Sequence, residues 1–434
     1  MADHHIEEAI SQPAPRLVTI DAIRGVAVIG ILLMNIISFS MPTAAYINPN
    51  AWPGMGPGMG NGTDFTDRAA YALSYIFVDG KMRALFSLLF GASMVLVSDR
   101  ADARDENGGK VHFARMMSLL LIGLFHTYFI WQGDILVLYA LCGMVTFLFL
   151  DKSPATLIKI GIACITLGFI MWLSLGMVMI GLDHIPTDQL DKADAAELDM
   201  MRRMIGSDFA TQMKEVTAMR GDYATVFYYR AANLASPLGQ FAVAGAETVG
   251  LMAIGASLMR QGFFSGQETS EWNRQRLKRL ALALAPLSII VLTAQVLWLW
   301  HNDFPDTFTF AAATGFSLPF DYLLAVAYAA LLVLWASASK GNILTKRLAA
   351  TGRAAFTNYL GTSIVMTTIF YGYGLGLFGK VGRAEVYLFV IAAAIVMLAW
   401  SQPWLKHFQY GPMEWLWRSM ARLQIQPIRK RDES

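Results

Sequence analysis

Ten apolar stretches punctuate the sequence, at residues 17–39, 77–97, 116–131, 135–150, 158–182, 237–258, 280–300, 316–335, 356–378 and 386–404. A run of about twenty apolar residues crosses a bilayer as one helix, because hydrocarbon leaves the backbone no hydrogen-bond partner except itself. The chain is therefore expected to be all-α: a polytopic integral membrane protein with about ten transmembrane helices in a single transmembrane domain, residues 1–434. A content of 55% hydrophobic and 15% charged residues excludes a pair of ordinary soluble domains.

Apart from six in the long segment 183–236 and Lys380 and Arg383 in the last gap, the cations between these stretches gather mainly in alternate gaps. Arg100, Arg104, Lys110 and Arg115 fill the second gap, Lys152 the fourth, Arg260, Arg274, Arg276, Lys278 and Arg279 the sixth, and Lys340, Lys346, Arg347 and Arg353 the eighth, whereas residues 40–65, 132–134 and 301–315 hold no Lys or Arg. Positive residues stay on the cytoplasmic side, so both termini are assigned to the cytoplasm, most simply in a bacterial cytoplasmic (inner) membrane. On this topology residues 1–16 are a cytoplasmic tail, 40–76 an outer loop, 183–235 an outer amphipathic cap and 405–434 a basic cytoplasmic tail. Spans three and four, of about sixteen residues each, reach roughly 24 Å against hydrocarbon near 30 Å thick. Their turn at Trp131 to Asp134 is expected below the outer surface, as the floor of an outward-opening recess or the tip of a re-entrant hairpin.

Ionisable side chains inside such spans are paired, face a cavity or serve a function. Asp21 and Arg24 share one face of span one, and Asn35, eleven residues beyond Arg24, returns to that face. In span two Asp79, Arg83 and Ser87 follow i, i+4 spacing. Glu247 lies near the middle of span six and is expected to be protonated or paired, with Arg24 or Arg353 as partner. His126 in span three can be oriented across the tight turn by Asp134 and act as a general base. The alternative is a core histidine bonded to a carbonyl, with Asp134 as the N-cap of span four.

The stripe from Asp21 to Asn35 resembles the first-span signature of the transmembrane acyltransferases, a superfamily that includes heparan-α-glucosaminide N-acetyltransferase. Two further segments resemble the YeiB-like family, whose C-terminal part is a domain of unknown function. One is Val78-Asp79-Gly80-Lys81-Met82-Arg83 and its continuation to Gly91; the other is Gly352-Arg353-Ala354-Ala355-Phe356-Thr357-Asn358-Tyr359 together with Gly411-Pro412-Met413-Glu414-Trp415. The resemblance implies transfer of an acyl group from a cytoplasmic acyl-CoA, acetyl-CoA being the simplest donor, to a hydroxyl or amine reached from the outer side. His126 and Asp134 would then serve as base and orienter, and Asn35 and Arg83 would steady the oxyanion. Asn35 stands where a more distant family carries His, and an amide accepts no proton near neutral pH. Lys81, Asp79 and Glu247 join Arg24, Arg83, Arg353, Asn358 and Tyr359 as residues for donor or substrate.

Membrane lipids and a sugar, lipid or small-molecule acceptor are the expected partners, and a homodimer is compatible with the sequence. No paired Cys or His at metal spacing, no phosphate loop and no dinucleotide fingerprint occurs in the sequence, so no metal is expected. The basic residues track membrane sidedness, which leaves no case for nucleic acid. Two other functions stay open: a secondary transporter or flippase for an anionic or lipid-like molecule, built on Glu247, Asp79 and the arginines, and a non-catalytic membrane sensor reading the outer cap.

Overall fold

A computed structural model describes residues 18–52, 65–185, 191, 192, 195, 209–234, 236–265, 272–339 and 341–430. The Pro-Gly-Met run of the first outer loop, the Met200, Met201, Met204 and Ile205 cluster of the cap and the first seventeen residues lie outside these. The described residues form α1 (Val18–Ser40), α2 (Thr43–Ile47), α3 (Phe65–Phe77), α4 (Lys81–Asp102), α5 (Gly108–Phe125), α6 (Leu136–Phe147), α7 (Pro154–Asp183), α8 (Phe209–Met219), α9 (Tyr223–Asn233) and α10 (Pro237–Arg260). Then follow α11 (Arg274–His301), α12 (Asp306–Ala311), α13 (Leu318–Ala338), α14 (Ile343–Arg353), α15 (Ala355–Phe370), α16 (Tyr387–His407) and α17 (Pro412–Arg422). The protein is all-α and polytopic: among the described residues eight helical runs are long and apolar enough to cross a membrane. The other two expected spans are α6, of 12 residues, and α15, of 16.

Span two is broken. Its helix ends at Phe77 and restarts at Lys81, because Gly80 adopts φ +72°, a left-handed conformation that only glycine takes without strain. A Cβ there would also sit 2.6 Å from the Asp321 carboxylate. Asp79 consequently belongs to a turn, and the i, i+4 face proposed for Asp79, Arg83 and Ser87 does not form as one helical stripe. Span three is longer than expected because α5 already begins at Gly108, and it ends in a π-helical turn at His126–Ile130. Span nine stops at Phe370, after which the chain folds back and Phe378 N bonds Phe370 O at 2.7 Å.

At the turn between α5 and α6, Trp131 and Asp134 are buried while Gly133 is exposed. Trp131 is 1% exposed and stacks on Phe39 with ring centroids 4.0 Å apart. Helices α8 and α9 cover this pair, packing Val216, Met219 and Val226 against the cluster that contains Phe39, Trp131 and Phe370. Polar ties fix the cap: Glu215 accepts from Thr43 N at 3.1 Å and Thr43 Oγ1 at 2.9 Å, Arg220 Nε donates to Phe378 O at 2.7 Å, and Arg230 donates to Ile130 O. We call this the cap end of the bundle and the opposite one, where the arginines collect, the basic end.

At the basic end α1 and α14 touch backbone to backbone. A Cβ on Gly352 would stand 1.9 Å from Asp21 O, so this glycine is required for the approach that brings Arg24 and Arg353 to the same cavity.

Candidate functional site

The ionisable residues singled out by sequence fall into two cavities and a buried pair. The larger cavity, about 310 Å³, is entered at the basic end between α1, α4, α5, α14, α15 and α17. Its mouth carries Arg24, Arg100, Arg115, Arg353 and Arg418, while its depth is walled by Phe86, Leu119, Leu136, Tyr139 and Tyr359. Arg24 is held in place by Asp21 Oδ1 at 2.9 Å and Ser93 Oγ at 2.9 Å. A cavity with a cationic mouth and an apolar interior suits a molecule with an anionic head and an apolar arm.

Beside its deep end lies the pair expected from the sequence. His126 is wholly buried, and its Nδ1 lies 2.8 Å from Asp134 Oδ1. The other carboxylate oxygen of Asp134 accepts from Val137 N at 2.9 Å, so one side chain both caps α6 and orients the imidazole. The two alternatives left open for Asp134 are thus satisfied together. With Nδ1–H donating to the carboxylate, Nε2 bears the lone pair, and this atom is buried with no hydrogen-bond partner among the described residues. Residues Ile135, Leu136 and Tyr359 join the pair to the cavity: all three line it, and the Tyr359 ring lies 5.6 Å from the imidazole. Tyr359 Oη accepts from Ile135 N at 3.3 Å, and its hydroxyl donates to the Asp134 carboxylate. The π-helical turn that starts at His126 gives the backbone an i+5 bond, Trp131 N to His126 O at 2.8 Å, and such bulges recur at functional sites.

Asn35 is half-buried and forms no hydrogen bond among the described residues. It stands on α1 one turn from Ile31, which packs with Leu136 and Tyr359, and one turn from Phe39, which stacks on Trp131. Its height in the bundle is therefore that of His126.

The smaller cavity, about 220 Å³, surrounds the break between α3 and α4 toward the cap end and is lined by Asp79, Lys81, Arg83 and Asp321 with Tyr46, Tyr71 and Tyr75. Lys81, 1% exposed, pairs with Asp321 Oδ1 at 2.6 Å and donates to Tyr75 O. Arg83 Nη1 pairs with Glu247 Oε1 at 2.5 Å, and Tyr322 donates to the other oxygen of Glu247. Tyr46 donates to Asp79 at 3.0 Å. Glu247 is therefore paired, but with Arg83 and not with Arg24 or Arg353.

Two expected roles are not met by this placement. Arg83 is tied to Glu247 and lines the smaller cavity, away from the position an oxyanion beside His126 would occupy. Asn358 does not line the larger cavity: its amide donates to Thr351 O at 3.1 Å and Ser401 Oγ at 3.3 Å and accepts from Trp400 Nε1 at 2.9 Å, binding α15 to α14 and α16. Asp321 escaped the sequence reading although the rule that picked out Glu247 applies to it equally. Tyr139 escaped because tyrosine in an apolar run carries no charge signal; it bonds Ser87 Oγ at 2.6 Å and lies between the two cavities.

Among known proteins, the family described as "Protein of unknown function (DUF418)" matches residues 258–424, from the end of α10 past the end of α17. "Uncharacterized protein YxaH" of Bacillus subtilis is 32% identical over 423 residues, covering 96% of this chain and 96% of the relative. "Uncharacterized protein YeiB" of Escherichia coli is 30% identical over 419 residues, covering 94% of this chain and 96% of the relative. Both similarities run over nearly the whole length of the chain.

Proposed function

Since the chain belongs to the YeiB-like family, we propose that it is a membrane-embedded acyltransferase using an acyl-CoA donor from the cytoplasm. One observation carries this reading: a buried imidazole oriented by a carboxylate, with Nε2 unpartnered, beside the deep end of a cavity whose mouth is arginine-rich. The positive-inside rule puts that mouth at the cytoplasmic face. The thioester arm fills the apolar depth, and the hydroxyl or amine of the acceptor gives its proton to His126 Nε2 as its oxygen or nitrogen bonds the carbonyl carbon. The C–S bond then breaks, and the departing thiolate takes the proton back from the imidazolium. The Asn35 amide N–H, at the height of His126, donates to the oxyanion in place of Arg83, while Tyr359 holds the Asp134 carboxylate. Trp131 and the cap close the other side, so an acceptor arriving from outside has to displace α8 and α9.

The test is release of free thiol from acetyl-CoA by the purified protein in lipid nanodiscs. His126→Gln is expected to lower it about a hundredfold or more. The proposal falls if the native chain neither binds nor cleaves acetyl-CoA, or if the variant matches it. The smaller cavity favours a second reading, transport of a small molecule past the Arg83–Glu247 pair; substrate flux into proteoliposomes without covalent change would support that reading.

A further inference from the structure

Next to the mouth of the larger cavity lies a cleft of about 370 Å³ between the end of α4, the start of α5 and α17. Arg100, Arg104, Arg115, Arg418 and Arg422 line it, with Trp417. Arg422 has a carboxylate, Glu106 at 3.5 Å. Arg100, Arg104, Arg115 and Arg418 form no ion pair among the described residues. Arg115 instead lies over the Trp417 ring at 4.3 Å and Arg418 over the Tyr410 ring at 4.4 Å. The carboxylate on α17 is spent elsewhere: Glu414 accepts from Phe356 N at 2.7 Å, Thr357 N at 3.1 Å and Thr357 Oγ1 at 2.6 Å, capping α15. Burial holds Arg418 below the usual arginine range; Tyr410 and Glu414 offset part of this, and Arg100 and Arg422 add repulsion.

Guanidinium groups gathered without counter-charges repel one another, and the arrangement is relieved by an anion with several oxygens to share. Surface arginines that merely anchor a loop would spread apart into water. Here three helices converge to hold them around one void, and the void is continuous with the larger cavity, sharing Val97, Arg100, Arg115, Trp417 and Arg418 with it. A ligand can therefore lay its charged end in the cleft and its arm along the cavity toward Tyr359.

We infer that this arginine cleft binds a phosphate-dense head group, either the phosphorylated nucleotide of a coenzyme A thioester or the head of an anionic phospholipid of the adjoining leaflet. The nucleotide source rests on the acyl-donor reading above; the lipid source does not.

Binding of coenzyme A, which carries the head without an acyl group, is measured on the full chain in phosphatidylcholine nanodiscs, with dephospho-coenzyme A as comparison. Phosphatidylglycerol retained through purification is measured in parallel. For the nucleotide source, Arg115→Gln and Arg418→Gln each weaken coenzyme A binding roughly tenfold, the dephospho form binds more weakly, added salt weakens both, and the Lys variants keep most of the affinity. His126→Gln removes turnover and leaves coenzyme A bound, which separates this claim from the catalytic one. For the lipid source, coenzyme A does not bind, while phosphatidylglycerol is retained by the native chain and lost from the Gln variants; the cleft then stands and the donor reading falls. The inference is overturned if neither ligand binds, or if either binds equally well to the native chain and to both Gln variants. Turnover of acetyl-CoA with KM unchanged in those variants would overturn the cleft as the donor's head site and leave the donor reading intact.

Discussion

Around the break between α3 and α4, Lys81 meets Asp321 at 2.6 Å, Arg83 meets Glu247 at 2.5 Å and Tyr46 donates to Asp79 at 3.0 Å. Around the basic end, Arg100, Arg104, Arg115 and Arg418 meet no carboxylate among the described residues and face open space. The first region satisfies its charges internally, as the low dielectric of a bundle demands. The second leaves them without an ion-pair partner among the described residues. The comparison teaches that, in this protein, a charge inside a span is weak grounds for a binding role until its partners are known, whereas a cluster lacking partners around a void is strong grounds. His126 lies between these cases: one ring nitrogen is satisfied by Asp134 and the other by nothing.

The largest effect should come from breaking a satisfied pair. Glu247→Ala strands the Arg83 guanidinium and is expected to destabilise the fold by about 3–5 kcal/mol, read as a lower melting temperature in detergent; removing Arg83 as well should restore much of it. Unchanged melting with activity abolished would instead make the smaller cavity a working site. Next comes Asp134→Asn, which keeps a capping oxygen but disturbs the tautomer of His126. It should cost thiol release about tenfold to a hundredfold with little change in KM. Arg24→Gln at the cavity mouth should raise KM for acetyl-CoA by about tenfold and leave kcat near native, since Arg24 contacts the head side of a donor and not the reacting atoms. A loss of kcat at constant KM would move Arg24 out of the mouth and into the chemistry.

The smallest effect concerns the cap. Burial raises the carboxyl of Glu215 above its ordinary value, against the hydrogen bonds from Thr43. A carboxyl with a raised folded pKa binds more protons folded than unfolded, so stability falls as pH rises from the ordinary glutamate range through the folded value and levels off above it. Melting temperature should therefore rise modestly as pH is lowered through that window, and Glu215→Gln should flatten the dependence. An equal slope in the variant would show that another group governs the cap.

Much of the architecture was legible in the sequence because hydrophobic length and the placement of cations are properties of contiguous residues. Each of the ten apolar stretches overlaps a helix, though span nine ends at Phe370 and span two is broken before Lys81, and the brevity of span four is real, with α6 at 12 residues. The partnership of His126 with Asp134 was legible too, since eight residues and one tight turn separate them. Less was legible about pairing across the bundle. Glu247 found Arg83 at a separation of 164 residues, and Asn358 was consumed by Thr351, Ser401 and Trp400 from two other helices. The break at Gly80 was overlooked because one glycine in an apolar run reads as helix-compatible, and its φ is set by Asp321 packing against it.

The sequence by itself determined a helical membrane bundle, the end at which its cations gather and the pairing of His126 with Asp134, because each follows from local composition and short separations. Tertiary structure alone decided which charges are neutralised and which are left facing a void. Rotation and depth of each helix are fixed by contacts such as Gly352 on α1, and a charge becomes either a structural tie or a binding group according to what those rotations set opposite it.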